Sequence, residues 1–303
     1  MADLKIDYCG IEFKNPIVTA SGTFGFGEEY GEYTELSEYG GFSAKGLTRT
    51  PRPGNKAPRI AETPSGILNS VGLQNPGVEN FAAEIMPELA KLDTHVIANM
   101  SGNTVEEYCE MAEILSETDT AIIEMNISCP NVKHGGLAFG TDARTVLELT
   151  EAVKKHCKKP LVVKLSPNVT SVADIAKAAE AGGADGVSLI NTLLGMKIDI
   201  NTRRPILANN TGGLSGPAVM PVAVRMVHEV YGAVKIPIIG MGGVMSASDA
   251  LEFMIAGARL VALGTGMFVK PDLIIDVKRG IAEYMDKNGI NKAEDIVGTL
   301  ELN

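Results

Sequence analysis

The sequence predicts an α/β protein, a (β/α)8 TIM barrel, on three observations. Eight short apolar runs rich in β-branched residues recur along the chain, and most lack polar alternation, as parallel strands covered on both faces do. Stretches with helical periodicity separate many of these runs. The ends of successive runs are about 25 residues apart, except at two places where the interval is much longer. Eight such units leave nothing for a second core, which favours a barrel over a doubly wound open sheet.

The predicted elements follow in chain order. The strands cover residues 17–20, 42–45, 96–99, 121–126, 161–164, 186–190, 236–240 and 260–264, and the helices cover residues 105–115, 142–157, 172–181, 247–256 and 273–284. Acidic residues near helix starts and glycines after helix ends agree with these assignments. We expect residues 1–303 to form one domain.

Three further segments flank these units. The first residues alternate in polarity around Gly10 and predict a hairpin that closes the bottom of the barrel. Residues 47–77 and 192–215 account for the two long intervals between predicted strands. Both follow strands, so we expect them as long loops over the C-terminal face, where they would cover a ligand.

Composition excludes several classes of function. The 27 Lys and Arg against 37 Asp and Glu give a net charge of −10, which disfavours binding to nucleic acid or an anionic membrane. The start, MADLKID, is charged where a signal peptide would be apolar, so we expect a cytoplasmic protein. Residues 205–224 are uncharged but rich in Asn, Gly and Pro, unlike a membrane span. The four widely spaced cysteines predict no metal centre in this chain.

Glycine-rich loops follow the last two predicted strands. They are Gly240-Met241-Gly242-Gly243 and Gly264-Thr265-Gly266. Loops at these two positions form the recurrent phosphate site of barrels, because glycine lets backbone N–H groups approach phosphate oxygens. The ligand could be flavin mononucleotide (FMN) or a phosphorylated substrate.

Amide and ammonium side chains close five predicted strands. They belong to Lys45, Asn99, Asn126, Lys164 and Asn191. We expect a ring of donors suited to a flat ligand rich in oxygen and nitrogen. No pair of carboxylates lies at these positions, which disfavours glycosidase chemistry.

One cysteine is a candidate base. Cys129 lies on the loop after the fourth predicted strand, and a thiol with an ordinary pKa of about 8.5 can accept a proton in a water-poor site. Gly135, Gly136 and Gly140 would let the following loop move as a lid. The other cysteines, Cys9, Cys109 and Cys157, are expected to be small buried residues.

These motifs together resemble a known family. The segments TASGTFGFGEEY, AKGLT, NSVGLQNPG, NISCPNVKHGGLAFG, VKLSPN, NTLLGMKID, GGLSGPA, IIGMGGV and GTG are similar to those of dihydroorotate dehydrogenases over essentially the whole chain. The cysteine in NISCPN, together with a start that lacks a membrane extension, is typical of class 1. The KHGGLAFG and GGLSGPA segments resemble class 1B, whose catalytic subunit works with a separate electron-transfer subunit.

The resemblance implies a flavoprotein that binds FMN. It places the phosphate at Gly242, Gly243, Gly264 and Thr265 with Gly216 nearby, and the remainder of FMN at Ser21, Lys45, Gly46, Asn99, Asn126, Lys164 and Ile190. It places dihydroorotate at Lys45, Asn69, Ser70, Val71, Gly72, Leu73, Asn126, Asn131, Asn191 and Thr192, with Cys129 as the catalytic base.

The implied function is oxidation of (S)-dihydroorotate to orotate in de novo pyrimidine (UMP) biosynthesis. Cys129 would take a proton from C5 while a hydride passes from C6 to FMN. Electrons would then pass through the 2Fe–2S centre and FAD of a partner subunit to NAD⁺, in a heterotetramer of two chains of each kind. The open alternatives are a class 1A homodimer that reduces fumarate, a flavin-free phosphate-binding aldolase or isomerase, and a non-catalytic barrel that serves as an interaction module.

Overall fold

The barrel strands alternate with helices along most of the chain. A computed structural model describes residues 2–128 and 139–303. The strands are β1 Ile6–Tyr8, β2 Ile11–Phe13, β3 Ile17–Thr19, β4 Gly41–Ser43, β5 Ile60–Thr63, β6 Gly66–Asn69, β7 His95–Met100, β8 Ile122–Asn126, β9 Leu161–Lys164, β10 Gly186–Leu189, β11 Leu193–Gly195, β12 Ile198–Asp199, β13 Arg204–Pro205, β14 Gly212–Ser215, β15 Ile238–Met241 and β16 Leu260–Leu263. The helices are α1 Val78–Asn80, α2 Met86–Leu89, α3 Val105–Ser116, α4 Ala143–Lys154, α5 Val172–Ala181, α6 Met220–Tyr231, α7 Ala247–Ala256, α8 Gly266–Val269 and α9 Leu273–Asn288, and a π-helical turn, Phe81–Ile85, joins α1 to α2.

Eight parallel strands form the barrel in the order β3-β16-β15-β10-β9-β8-β7-β4. Across the seam between β3 and β4, Gly40 N donates to Ile17 O at 2.9 Å, and Ser43 N donates to Thr19 Oγ1 at 3.1 Å. These contacts bring the two edge strands together, as a barrel requires and an open sheet does not. The predicted (β/α)8 barrel is therefore confirmed, with every predicted strand within two residues of the observed one.

The predicted helices are present, with local differences at their ends. Helices α5 and α7 have the predicted bounds, α4 ends at Lys154, and α9 continues to Asn288 before Gly289 ends it in a left-handed conformation. Side-chain oxygens of Thr104, Asp142, Ser171 and Ser246 each accept a backbone N–H in the first turn of a helix, which fixes where α3, α4, α5 and α7 begin.

Three helical segments lie outside the predicted helices. They are α1 to α2 after the second barrel strand, α6, and the short α8 after the last strand. Helix α6 begins inside the uncharged stretch 205–224, with Pro221 in its first turn, where proline is tolerated. Its buried residues Ala223, Met226, Val227 and Val230 have the spacing of one helical face.

The barrel interior is apolar at its lower end and is closed there by the hairpin β1–β2. Ile97, Ile122 and Val162 from the barrel strands pack in one buried cluster with Tyr8 and Phe13 of the hairpin. Tyr8 Oη donates to Val187 O at 3.2 Å, near the start of β10. The predicted bottom hairpin is confirmed. A second, larger core lies between the strands and the surrounding helices.

The two long excess segments meet at the opposite end of the barrel. They form one antiparallel sheet in the order β11-β14-β6-β5, with Gly213 opposite Asn69 and Leu193 opposite Leu214. Thr265, which follows β16, donates through Oγ1 to Ser215 Oγ at 2.8 Å and ties this sheet to the barrel mouth. Both segments thus lie on the C-terminal face, as expected. None of the helices in the described ranges has the length and apolarity needed to cross a membrane.

Candidate functional site at the carboxyl end of the barrel

The inward-facing side chains become polar toward the carboxyl ends of the strands. Inward positions recur every second residue, so Asn99 follows Ile97, Glu124 follows Ile122 and Lys164 follows Val162. The polar layer is formed by Ser43, Asn99, Glu124, Lys164 and Ser188, all of which are buried. This layer forms the floor of a site at the barrel mouth, where barrel enzymes hold their ligands.

Glu124 lies at the centre of this floor. Its Oε2 accepts hydrogen bonds from Asn99 Nδ2 at 2.6 Å and from Ser43 Oγ at 3.3 Å, and its Oε1 accepts one from Ser188 Oγ at 2.7 Å. A role for Glu124 was not predicted from the sequence. The signal was present, because Glu124 is the one charged residue in the strand run AIIEMN and is flanked by apolar residues.

Asn99 presents an acceptor to the site, not the donor that we expected. Its Nδ2 is bonded to Glu124, while its Oδ1 is buried and has no partner among the described residues. A buried acceptor without a partner is costly, so a ligand that brings a donor to this point would be favoured. A Cβ built on Gly46 would lie 2.9 Å from this oxygen, which shows how closely the backbone approaches it.

The predicted substrate residues of two distant segments come together at the strand ends. Asn126 Oδ1 accepts from Ser128 N at 3.1 Å and from Asn191 Nδ2 at 3.3 Å. Asn191 Oδ1 in turn accepts from Thr192 N at 2.8 Å. Within the described part of the chain both bonds use Oδ1, which leaves the Asn126 Nδ2 as a candidate donor to a ligand.

The segment 69–73 joins this group from the other side. Asn69 Nδ2 donates to Gly213 O at 3.4 Å, and a Cβ on Gly213 would meet the Thr192 side chain. Asn55 holds the segment in place through bonds to Ser70 O and Val71 O, both at 2.9 Å.

The far end of the same segment reaches Gly46. Leu73 Cδ2 would lie 3.1 Å from a Cβ on Gly46. Gly72 lies against Asn55, since a Cβ there would be 2.5 Å from Asn55 Cγ. Ser70 Oγ is buried and has no partner in the described part of the chain, which makes it a second candidate ligand contact.

Lys45 brings positive charge to the same region. Its side chain is half-buried, and burial, with a smaller contribution from Arg59, lowers the pKa of its ammonium group. A desolvated cation attracts an anionic ligand strongly, because the local dielectric is low. Ser21 lies close by and donates through Oγ to Ala44 O at 2.9 Å.

The predicted phosphate residues also converge. A Cβ on Gly243, whose φ is 87°, would lie 2.7 Å from Gly216 O, and one on Gly216 would lie 3.4 Å from Thr265 Cγ2. Gly242 lies against Ile190, with a Cβ-to-Cγ1 distance of 3.3 Å. A Cβ on Gly264 would have only ordinary contacts, with Ala20 at 3.5 Å. These glycine backbones form a cradle, which we call the glycine cradle. Side chains at these positions would fill it, and without them it can accept a phosphate group.

Several predicted residues lie outside the described ranges. They are Cys129, Asn131, Gly135 and Gly136. Gly140 is described, and it is buried with a Cβ position 2.7 Å from Ile127 O.

The remaining cysteines have environments that suppress the thiolate. Burial raises the pKa of Cys9 to about 12 and also raises the pKa of Cys109 and Cys157. No group of three or more His, Cys, Asp or Glu side chains within 2–128 and 139–303 could hold a metal ion.

Comparison with known proteins identifies the family. The family model for dihydroorotate dehydrogenase matches residues 3–285. The chain is 56% identical over 298 residues to a protein of Alkaliphilus metalliredigens, covering 98% of this chain and 99% of the relative. It is 53% identical to a protein of Lachnoclostridium phytofermentans, covering 98% and 99%, and 52% identical to one of Bacteroides fragilis, covering the whole of both.

All three relatives carry the name dihydroorotate dehydrogenase B (NAD⁺), catalytic subunit. The match extends over the barrel, the polar floor and the glycine cradle. The chain therefore belongs to the dihydroorotate dehydrogenase family.

Proposed function

We propose that this chain is the catalytic subunit of an NAD⁺-linked, class 1B dihydroorotate dehydrogenase, which oxidises dihydroorotate to orotate in pyrimidine biosynthesis with FMN as its prosthetic group. The observation that carries the proposal is the convergence of the glycine cradle, the polar floor and the amide cluster at one end of the barrel. Relatives with this name match the chain from end to end.

FMN accounts for two features of the site. Its phosphate fits the cradle of Gly242, Gly243, Gly264 and Thr265 beside Gly216, and its donors suit the Asn99 oxygen, which has no partner within 2–128 and 139–303. The rest of the group would lie among Ser21, Lys45, Gly46, Asn126, Lys164 and Ile190. When bound, FMN supplies the two-electron oxidant that protein side chains lack.

The substrate would be held by charge and by amides. The Lys45 ammonium group, already partly desolvated, suits the carboxylate of dihydroorotate. The amides of Asn69, Asn126, Asn131 and Asn191, with Thr192 and the segment 70–73, suit its carbonyl and N–H groups. Fixing the substrate ring in this way orients its reacting carbon atoms. We propose that the thiolate of Cys129 accepts the proton from C5.

The electrons require a route out of this chain. The relatives are named as catalytic subunits linked to NAD⁺, which indicates a second subunit in those proteins. We propose that a partner with FAD and a 2Fe–2S cluster accepts the electrons here, in a heterotetramer of two chains of each kind. A cytoplasmic location and a single FMN-binding unit over residues 1–303 remain predictions.

Exchange of the proposed base tests the reaction. Cys129→Ser replaces a thiol with a hydroxyl that is far harder to ionise, so flavin reduction by dihydroorotate should slow by at least about 10²-fold, while FMN content stays normal. Stopped-flow absorbance without oxygen measures this rate. Cys109→Ser, on α3, is the matched control and should react as the wild type does. Equal rates in the two variants would show that Cys129 is not the base.

A further inference from the structure

A buried ion pair spans the floor of the site. Lys164 Nζ lies 3.9 Å from Glu124 Oε2, and the two side chains are 5% and 2% exposed. Burying a charge is costly unless an opposite charge and hydrogen bonds compensate it. Glu124 receives this compensation from Lys164 and from three hydrogen-bond donors on β4, β7 and β10.

Lys164 and Asn99 connect this ion pair to the barrel mouth. Lys164 is the last residue of β9, so its charge lies at the strand end that faces the site. Asn99 is turned by Glu124, because its Nδ2 donates to the carboxylate and its Oδ1 is then left without a partner among the residues described. A neutral amide in place of the carboxylate would remove the negative charge and leave one acceptor oxygen, in place of two, for Asn99, Ser43 and Ser188.

We propose that Glu124 is a positioning residue for FMN: it holds the oxygen of Asn99 toward the ligand and offsets the charge of Lys164, and it thereby sets the midpoint potential of the bound flavin. The inference rests on the proposed function, in which FMN binds at this end of the barrel. Glu124 needs no direct contact with FMN, since its charge acts over distance and its hydrogen bond orients Asn99.

The sign of the effect follows from charge. Reduced flavin carries more negative charge than oxidised flavin, so a nearby anion disfavours reduction and a nearby cation favours it. At an effective dielectric of about 20, a unit charge about 10 Å away shifts such an equilibrium by about tenfold. Glu124→Gln should therefore raise the potential, and Lys164→Gln should lower it.

The test compares four proteins with FMN in excess: the wild type, Glu124→Gln, Lys164→Gln and the double variant. Equilibrium reduction against a reference dye measures each midpoint potential. Each single variant should shift the oxidised-to-reduced equilibrium by at least tenfold in opposite directions, which is about 30 mV for a two-electron couple. The double variant should return to within about threefold of the wild type. Glu12→Gln, at the barrel bottom, controls for a change of net charge and should have the wild-type potential.

Replacement of both partners of a buried ion pair is tolerated better than removal of one. If Glu124→Gln does not fold, the double variant still has to show a potential at least tenfold more favourable to reduction than Lys164→Gln. Potentials that stay within threefold in flavin-containing variants, or shifts of the same sign in both single variants, would overturn the inference and assign Glu124 a structural role. A wild-type protein that binds no FMN would overturn the proposed function and this inference with it.

Discussion

The glycine cradle offers a perturbation whose size follows from the structure. Gly243 has φ 87°, and a Cβ there would lie 2.7 Å from Gly216 O and 2.8 Å from Met220 Cβ. Alanine in a left-handed conformation costs about 1–2 kcal/mol. Forcing a methyl group into a closely packed site adds about 1–3 kcal/mol. We therefore expect Gly243→Ala to destabilise the protein by about 2–5 kcal/mol, which leaves a typical domain folded.

The Gly243→Ala substitution should also weaken the binding of FMN. The added methyl group pushes the backbones of Gly243 and Gly216 apart, and both belong to the proposed phosphate site. We expect the dissociation constant for FMN to rise at least about tenfold, or about 1.4 kcal/mol. Fluorescence titration of the apoprotein with FMN measures the affinity, and unfolding in guanidinium chloride measures the stability.

Gly183 provides a matched control. Its φ is 92°, but a Cβ there would face only the flexible Lys154 side chain, at 3.4 Å, near the start of β10. Gly183→Ala should therefore incur the backbone cost of about 1–2 kcal/mol without the clash and without loss of affinity. If both variants bind FMN as the wild type does, the cradle is not the phosphate site. If both lose affinity equally, backbone strain alone explains the loss.

Two further predictions concern titratable groups. Burial and, to a smaller extent, Arg59 lower the pKa of Lys45 in the folded protein. Between that lowered pKa and the unfolded value of about 10.5, the unfolded chain binds more protons than the folded protein does. The free energy of unfolding should therefore rise with pH in this range. Lys45→Met should stabilise the apoprotein by on the order of 1 kcal/mol at pH 7, and this advantage should shrink toward pH 10.5 in guanidinium unfolding; an advantage that does not change with pH would contradict the assignment. Because burial raises the pKa of Cys9, Cys109 and Cys157, a disulfide reagent at pH 8 should modify one thiol rapidly, and Cys129→Ser should abolish that phase; a rapid phase that persists in the variant would show that another cysteine reacts.

The sequence predicts the barrel well because its signals are local. Apolar runs such as 161–164 become strands with the same bounds, and N-terminal side chains such as Ser171 fix helix starts. The sheet over the C-terminal face was not predicted, since it pairs residues near 67 with residues near 214. Such long-range pairing has no local pattern, and each segment appears in the sequence only as a loop rich in Gly and Pro.

In the candidate site, too, the features with local sequence signals were predicted and those that depend on long-range contacts were not. Positions at strand ends identified Asn99, Asn126 and Lys164, because parallel strands bring their carboxyl ends to one face. Spacing could not predict which end of the Asn99 amide faces the ligand. That orientation depends on the carboxylate of Glu124, on a neighbouring strand, and so on a contact that only the folded chain creates.

In the proposed function, this barrel binds FMN and dihydroorotate reduces it. The most direct measurement is the visible absorption of the purified chain without oxygen, before and after addition of dihydroorotate. We expect a yellow protein with about one FMN per chain that dihydroorotate bleaches. In the absence of a partner, it should pass electrons to artificial dyes but not to NAD⁺. A folded, colourless protein that takes up no added FMN would contradict the proposed function, as would bound FMN that dihydroorotate leaves oxidised.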